Sequence, residues 1–238
     1  MRLVPQRSAR AELLDRRDHS ARDLRAALED IARTNAWLGG RRALLSALRP
    51  LLLESHAPLE VLDVGTGGAD LPLYLLRRAR ELGREAIVTA IDREPLTAAV
   101  AAERARGEPN LRIVCADALR PPFAERSFDV VTASLFLHHF AEREIVELLG
   151  RFLRLARRAV VINDLRRHRL PWLFIWVASR VGGRHPMYVH DAPLSVLRGF
   201  TAAELADVAR DSGVPRFELR RSLPYRLVLT LPVEDRRP

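Results

Sequence analysis

Apolar positions follow two rhythms along this chain. From Ala21 they fall three and four residues apart, at Leu24, Leu28, Ile31 and Ala32, which is the spacing of one helix face. Gly39-Gly40 interrupts the pattern, and Leu44, Leu45, Leu48, Leu51 and Leu52 resume it, predicting a second helix over 41–53. The rhythm then shortens. Apolar, β-prone runs at 61–64, 86–91, 111–115, 127–133 and 159–162 predict five strands, separated by helical stretches at 71–82, 95–106 and 142–155. Pro95 suits a first helical turn, whereas Pro121-Pro122 makes the third connection irregular. Alternating strands and helices of this kind predict an α/β protein with a doubly wound sheet.

After the fifth strand the pattern changes. Residues 165–200 combine the apolar run 170–178, rich in tryptophan and phenylalanine, with Gly182-Gly183, and predict a hinged lid over a greasy substrate or an added packing helix. Thr201-Ala202-Ala203-Glu204 is a capping box that opens a helix running to about Asp211, with Gly213 at its end. Two last strands are predicted at 216–222 and 225–231, joined at Pro224. The expected organisation is a flexible, arginine-rich tail over 1–18, a helical cap over 19–56, the core over 57–164, the lid insertion over 165–200 and a closing helix and hairpin over 201–238.

The chemistry concentrates at strand ends. Val61-Leu62-Asp63-Val64-Gly65-Thr66-Gly67-Gly68 reads as strand, glycine turn and helix start, where absent Cβ atoms let backbone N–H groups approach a ligand beside a helix N-terminus. The dinucleotide fingerprint is not met, because its third glycine would fall at Asp70. Asp92 closes the second strand where such sheets place a ribose-binding acid, Asp117-Ala118 follows the third, and Ser134 begins the stretch after the fourth.

With these pieces in order, residues 59–163 resemble the class I S-adenosylmethionine-dependent methyltransferases. The resemblance implies a Rossmann-like, seven-stranded sheet, mostly parallel with an antiparallel last strand inserted from the final hairpin. It also implies S-adenosylmethionine as cofactor, with S-adenosylhomocysteine as product. The matched cofactor residues are Asp63, Gly65, Thr66 and Gly67 at the methionine part, Asp92 with Arg93 at the ribose, Asp117 with Ala118 at the adenine, and Ser134 beside them. The short segment 31–42, with Asn35 ahead of a glycine turn, is similar to ubiquinone and menaquinone biosynthesis methyltransferases. By itself, Asn35 equally fits a helix end, and Trp37 plain packing.

Composition narrows the classes. The 238 residues carry a net charge of +9, yet every basic side chain other than histidine is arginine, and the arginines are spread along the chain. Paired arginines on helix faces usually meet solvent, so a nucleic-acid partner is not expected. No apolar run is long enough to span a bilayer and no secretory leader is visible, which places the protein in the cytoplasm; the run 170–178 can still touch a membrane surface. The single cysteine, Cys115, reads as a small core residue.

A hydroxyl acceptor has to lose a proton, for which a histidine is suited near neutral pH. His138 and His139, after the fourth strand, and Asp164, at the tip of the fifth, are the candidate catalytic residues. His190-Asp191 forms a second candidate pair if folding joins the two side chains. Without a paired acidic cluster, no metal is expected, and no asparagine-proline-proline signature of amine methylation follows the fourth strand. The leading expectation is methyl transfer to a hydroxyl of a small aromatic or polyketide-like molecule by a monomer or homodimer. The alternatives are methylation of a quinone-ring carbon, RNA modification through the basic surface, and a non-catalytic binding protein.

Overall fold

The computed structural model describes residues 4–16, 18–181 and 183–233. Arg17, the first three residues of the expected tail and the hinge residue Gly182 lie outside the described residues. Within them the chain forms two helices, α1 (Ala21–Trp37) and α2 (Gly40–Glu54), then β1 (Leu59–Val64), α3 (Asp70–Glu81), β2 (Ala86–Asp92), α4 (Pro95–Arg104) and β3 (Leu111–Cys115). The second half runs β4 (Phe128–Ser134), α5 (Glu142–Leu155), β5 (Ala156–Leu165), α6 (Arg169–Ala178), α7 (Pro186–Arg198), α8 (Ala202–Asp211), β6 (Glu218–Ser222) and β7 (Arg226–Pro232).

The sheet order is β3-β2-β1-β4-β5-β7-β6. The first five strands are parallel, and β7 pairs antiparallel with β5 on one side and β6 on the other. This is the class I methyltransferase fold, as expected. Successive residues of the central strands serve opposite faces. Leu59 and Val61 join α2, α3 and α4 on one side, and Leu62 and Val64 join α5 and α8 on the other. On α5, Ile145, Leu148, Leu149, Phe152 and Leu155 are buried at helical spacing, each contributing roughly 1.5–3 kcal/mol of transfer free energy.

The chain reverses its direction of travel across the sheet between β1 and β4, and a doubly wound sheet opens a crevice at such a point, beyond the carboxyl ends of the strands. Helices α1, α6 and α7 cover that end, with Leu24, Leu28 and Val100 forming a small core between α1 and α4.

Three readings change. Residues 4–16, whose composition predicts a flexible tail, are tied to α7: the amides of Leu13 and Leu14 donate to the two oxygens of Asp191, both at 2.8 Å. Composition is blind to a carboxylate so far along the chain. Cys115 is exposed rather than core, because β3 is a sheet edge. Trp37, read as packing, is 84% exposed.

Candidate active site

A cavity of about 570 Å³ occupies the crevice, a size suited to a drug-sized molecule. It is floored by strand tips and roofed by α1, α6, α7 and the segment around Glu12. Asp63, Gly65, Thr66, Gly67, Asp92, Arg93, Asp117, Ala118, Ser134, His138 and His139 all line it. Asp164 does not; it lies fully buried behind His138.

The glycine turn is held from β2. The amides of Gly65 and Thr66 both donate to the Ile91 carbonyl, at 2.9 and 3.0 Å. Asp92 accepts from the Gly67 amide at 3.0 Å through one oxygen and from the Glu94 amide at 3.1 Å through the other. Gly65 has a φ of +68°, and a Cβ there would lie 2.2 Å from the Phe136 ring, so glycine is required twice over. Ala69 and Leu135, also at the cavity's edge, hold positive φ without being glycine, a strain that clusters at functional sites. Thr66 Oγ1 is buried with no hydrogen-bond partner among the described residues.

Asp63 accepts from Thr132 Oγ1 at 2.8 Å. Burial pushes its carboxyl up to about 6, against the pull of that hydrogen bond. Burial also raises Asp92, which the Glu94 and Gly67 amides partly offset. Asp117 is exposed and accepts from the Leu119 amide at 2.9 Å. Ser134 Oγ accepts from Asn163 Nδ2 at 3.4 Å.

At the other end of the cavity, a short 3-10 turn (Leu137–His139) points the His138 ring between two carboxylates. Its Nδ1 is 2.7 Å from Asp164 Oδ1, and its Nε2 is 3.5 Å from Glu12 Oε1. Burial alone would lower the imidazole, but Asp164 and then Glu12 outweigh it and carry the pKa up to about 9. Glu12 and Asp164 respond in kind: burial opposes, yet His138 leaves both carboxyls below their usual range. The two carboxylates thus favour the charged form of the His138 imidazole. His139 pairs with Asp15 at 3.1 Å and stacks on His138 with ring centroids 4.3 Å apart.

Glu12 is the site residue that sequence reasoning missed. It sits in an arginine-rich stretch with no motif, and only its burial, at 4% exposure, distinguishes it. Ligand atoms of Glu12, His138 and His139 lie within 4.8 Å of one another, a grouping not foreseen when no metal was expected. The Arg198 guanidinium, 3.7 Å from Glu12 Oε1, already supplies positive charge there.

The remaining candidates divide. Asn35, in the last turn of α1, is also a bridge: it donates to Asp70 at 3.4 Å and accepts from the buried Arg226 guanidinium at 3.0 Å. Burial lowers Arg226 to about 10, with Asp164 and Asp70 opposing the shift. His190 and Asp191 do come together, at 2.8 Å, but His190 is outside the cavity lining and Asp191 is committed to Leu13 and Leu14. His168 and His185 cap α6 and α7. Many paired arginines are spent on ion pairs, as Arg157 with Glu60 and Asp129 and Arg158 with Glu54, instead of forming one anionic-ligand stripe.

Comparison with known proteins bears on the same half of the site. Residues 61–159 match the family model described as a methyltransferase domain. A demethylmenaquinone methyltransferase of Thermus thermophilus is 38% identical over 89 residues, covering 37% of this chain and 39% of the relative. A ubiquinone/menaquinone biosynthesis C-methyltransferase of Rhizobium meliloti is 35% identical over 106 residues, covering 43% of this chain and 39% of that one. The chain thus spans well under half the length of these curated relatives. Among solved structures, a SAM-dependent methyltransferase from Aquifex aeolicus has the same fold, with a TM-score of 0.62 at 18% identity, over 88% of this chain and 98% of that one. The match to that model stops at residue 159, so α6, α7 and the segment around Glu12 lie outside it.

Proposed function

We propose that this chain is an S-adenosylmethionine-dependent methyltransferase whose acceptor is a hydroxylated aromatic ring, a phenol or quinol, carried on an apolar molecule. The observation that carries the reading is a single cavity joining the glycine turn and strand-tip acids to the buried Glu12–His138–Asp164 cluster under the apolar α6 and α7.

The residues present fit the cofactor. Gly65 and Gly67, at positive φ, keep the turn bare for its methionine part, where Thr66 Oγ1 lacks a partner among the described residues. Each Asp92 oxygen holds one amide and keeps a further lone pair for a ribose diol. Asp117 and Ala118 are the side chains toward the adenine. Bound S-adenosylmethionine supplies a methyl carbon made electrophilic by its sulfonium.

The other residues act on the acceptor. Glu12 Oε1 accepts the hydroxyl proton, and the His138 imidazolium, held by Asp164, stabilises negative charge growing on that oxygen. Asp164 is thus a positioning residue. An ionised hydroxyl can take the methyl itself or push electron density onto a ring carbon, which then releases its own proton. The names of the quinone-related relatives favour the ring carbon, and the cluster serves either atom. An acceptor with a long apolar tail would reside in membranes, and exposed α6 is the part suited to meet one.

The test incubates purified protein with methyl-labelled S-adenosylmethionine and alkylated phenols and quinols, with fragmentation locating the label. Transfer to such a ring is expected, and labelling of RNA with no small aromatic turned over would overturn the reading.

A further inference from the structure

The outer side of α6 is apolar where a soluble helix should be polar. Leu170, Leu173, Phe174 and Val177 follow one another at helical spacing and are between 49% and 59% exposed, and Val181, just past the helix, is 65% exposed. Pro171 and Ile175, on the opposite side, are the buried anchors. Contiguous exposed apolar surface of this kind marks an interaction site.

Two further facts say what it meets. First, the patch is continuous with the cavity: Leu170 and Phe174 belong to both. Two more exposed apolar side chains, Trp37 at 84% and Leu223 at 83%, directly precede the cavity-lining Leu38 and Pro224. Second, the segment carrying the patch is basic. Between residues 165 and 190 the sequence has five arginines and no acidic residue; Arg167 and Arg184 pair with Glu204 and Asp30, and Arg166, Arg169 and Arg180 remain beside α6. Arg180 donates to the Trp176 carbonyl at 2.6 Å and lies 4.2 Å over the Trp176 ring, pairing a cation with an aromatic beside the patch. Tryptophan and arginine together suit the headgroup level of a bilayer.

Among the described residues no helix is long and apolar enough to cross a membrane. We infer that α6 lies in the surface of an anionic phospholipid bilayer, with Leu170 and Phe174 opening the cavity directly onto the lipid so that a membrane-dissolved acceptor enters sideways. Acceptor entry rests on the methyltransferase reading, whereas lipid docking stands on the surface itself.

The test is flotation of the full chain with phosphatidylcholine vesicles, with and without about one third phosphatidylglycerol, using wild type and the double variant Leu173→Ser/Val177→Ser. Neither substituted residue lines the cavity. Titration with S-adenosylmethionine, run in parallel, reports the cofactor site independently of the docking face and checks that the variant is folded. Wild type should float with the anionic vesicles, and the variant should lose at least ten-fold in partitioning while its cofactor affinity, or its melting temperature if no cofactor binds, stays unchanged. Absence of wild-type flotation, equal retention on neutral vesicles, or a lipid-free dimer that the double substitution dissociates would overturn the inference; the last would show that a second copy covers α6.

Discussion

Asp92 is where binding and architecture meet in one side chain. It fixes the turn through the Gly67 amide, and in the proposed function its remaining lone pairs take a diol, so Asp92→Ala removes both. S-adenosylmethionine affinity should fall at least ten-fold, about 1.4 kcal/mol, in isothermal titration. His138 gives the pH dependence. Asp164, Glu12, the Arg198 guanidinium donating to the His138 carbonyl, and the stacked His139 ring all face it. Its pKa is raised from 6.5 to about 9, so the stability it contributes is fully present below 6.5 and lost as pH rises through about 9. Urea unfolding across that window should show a fall for wild type that is flattened in His138→Gln. Asp92 was readable at its strand tip, but the environment of His138 was not, because it depends on which carboxylates folding buries against the ring, Asp164 first and then Glu12.

The glycine turn is the element with the least tolerance. It must bend at positive φ and leave room for Phe136, and a single methyl group violates both conditions. Gly65→Ala should abolish measurable cofactor binding in titration while far-UV circular dichroism stays near wild type, since the strain is local and on the order of 1–3 kcal/mol. Elements of this class were legible because their signals are local: a capping box at Thr201 opens α8, and the helical spacing of the α5 leucines sets its buried face. The lid region was legible as apolar and aromatic. That it forms two helices with opposite duties, α6 outward and α7 gripping the N-terminal segment, is set by packing.

Across the whole molecule, residues 4–16 complete a site built by the rest of the chain. Arg7 donates to the carbonyls of Arg198 and Phe140, Leu13 and Leu14 bind Asp191, and Glu12 is thereby delivered to His138. Asp191→Ala removes two charge-assisted hydrogen bonds worth roughly 1.5–3 kcal/mol each. The Leu13 and Leu14 amides should then lose hydrogen-exchange protection, and kcat should fall with S-adenosylmethionine affinity little changed. Equal loss of kcat and cofactor affinity would contradict this division of labour between the two ends of the cavity.

The sequence by itself determined the strands, the helices between them, the doubly wound sheet and the strand-tip residues that line one half of the cavity. Strand and helix periods and the residues at strand tips are local properties, and one topology brings all those tips to the same edge. Tertiary structure alone decided the half around Glu12 and His138. Leu13 meets Asp191 across 178 positions, and nothing in the spacing of either stretch encodes that contact. Which charges neutralise one another, which histidine is buried between acids and which apolar helix face stays uncovered follow from burial and proximity, and these exist only once the chain is folded.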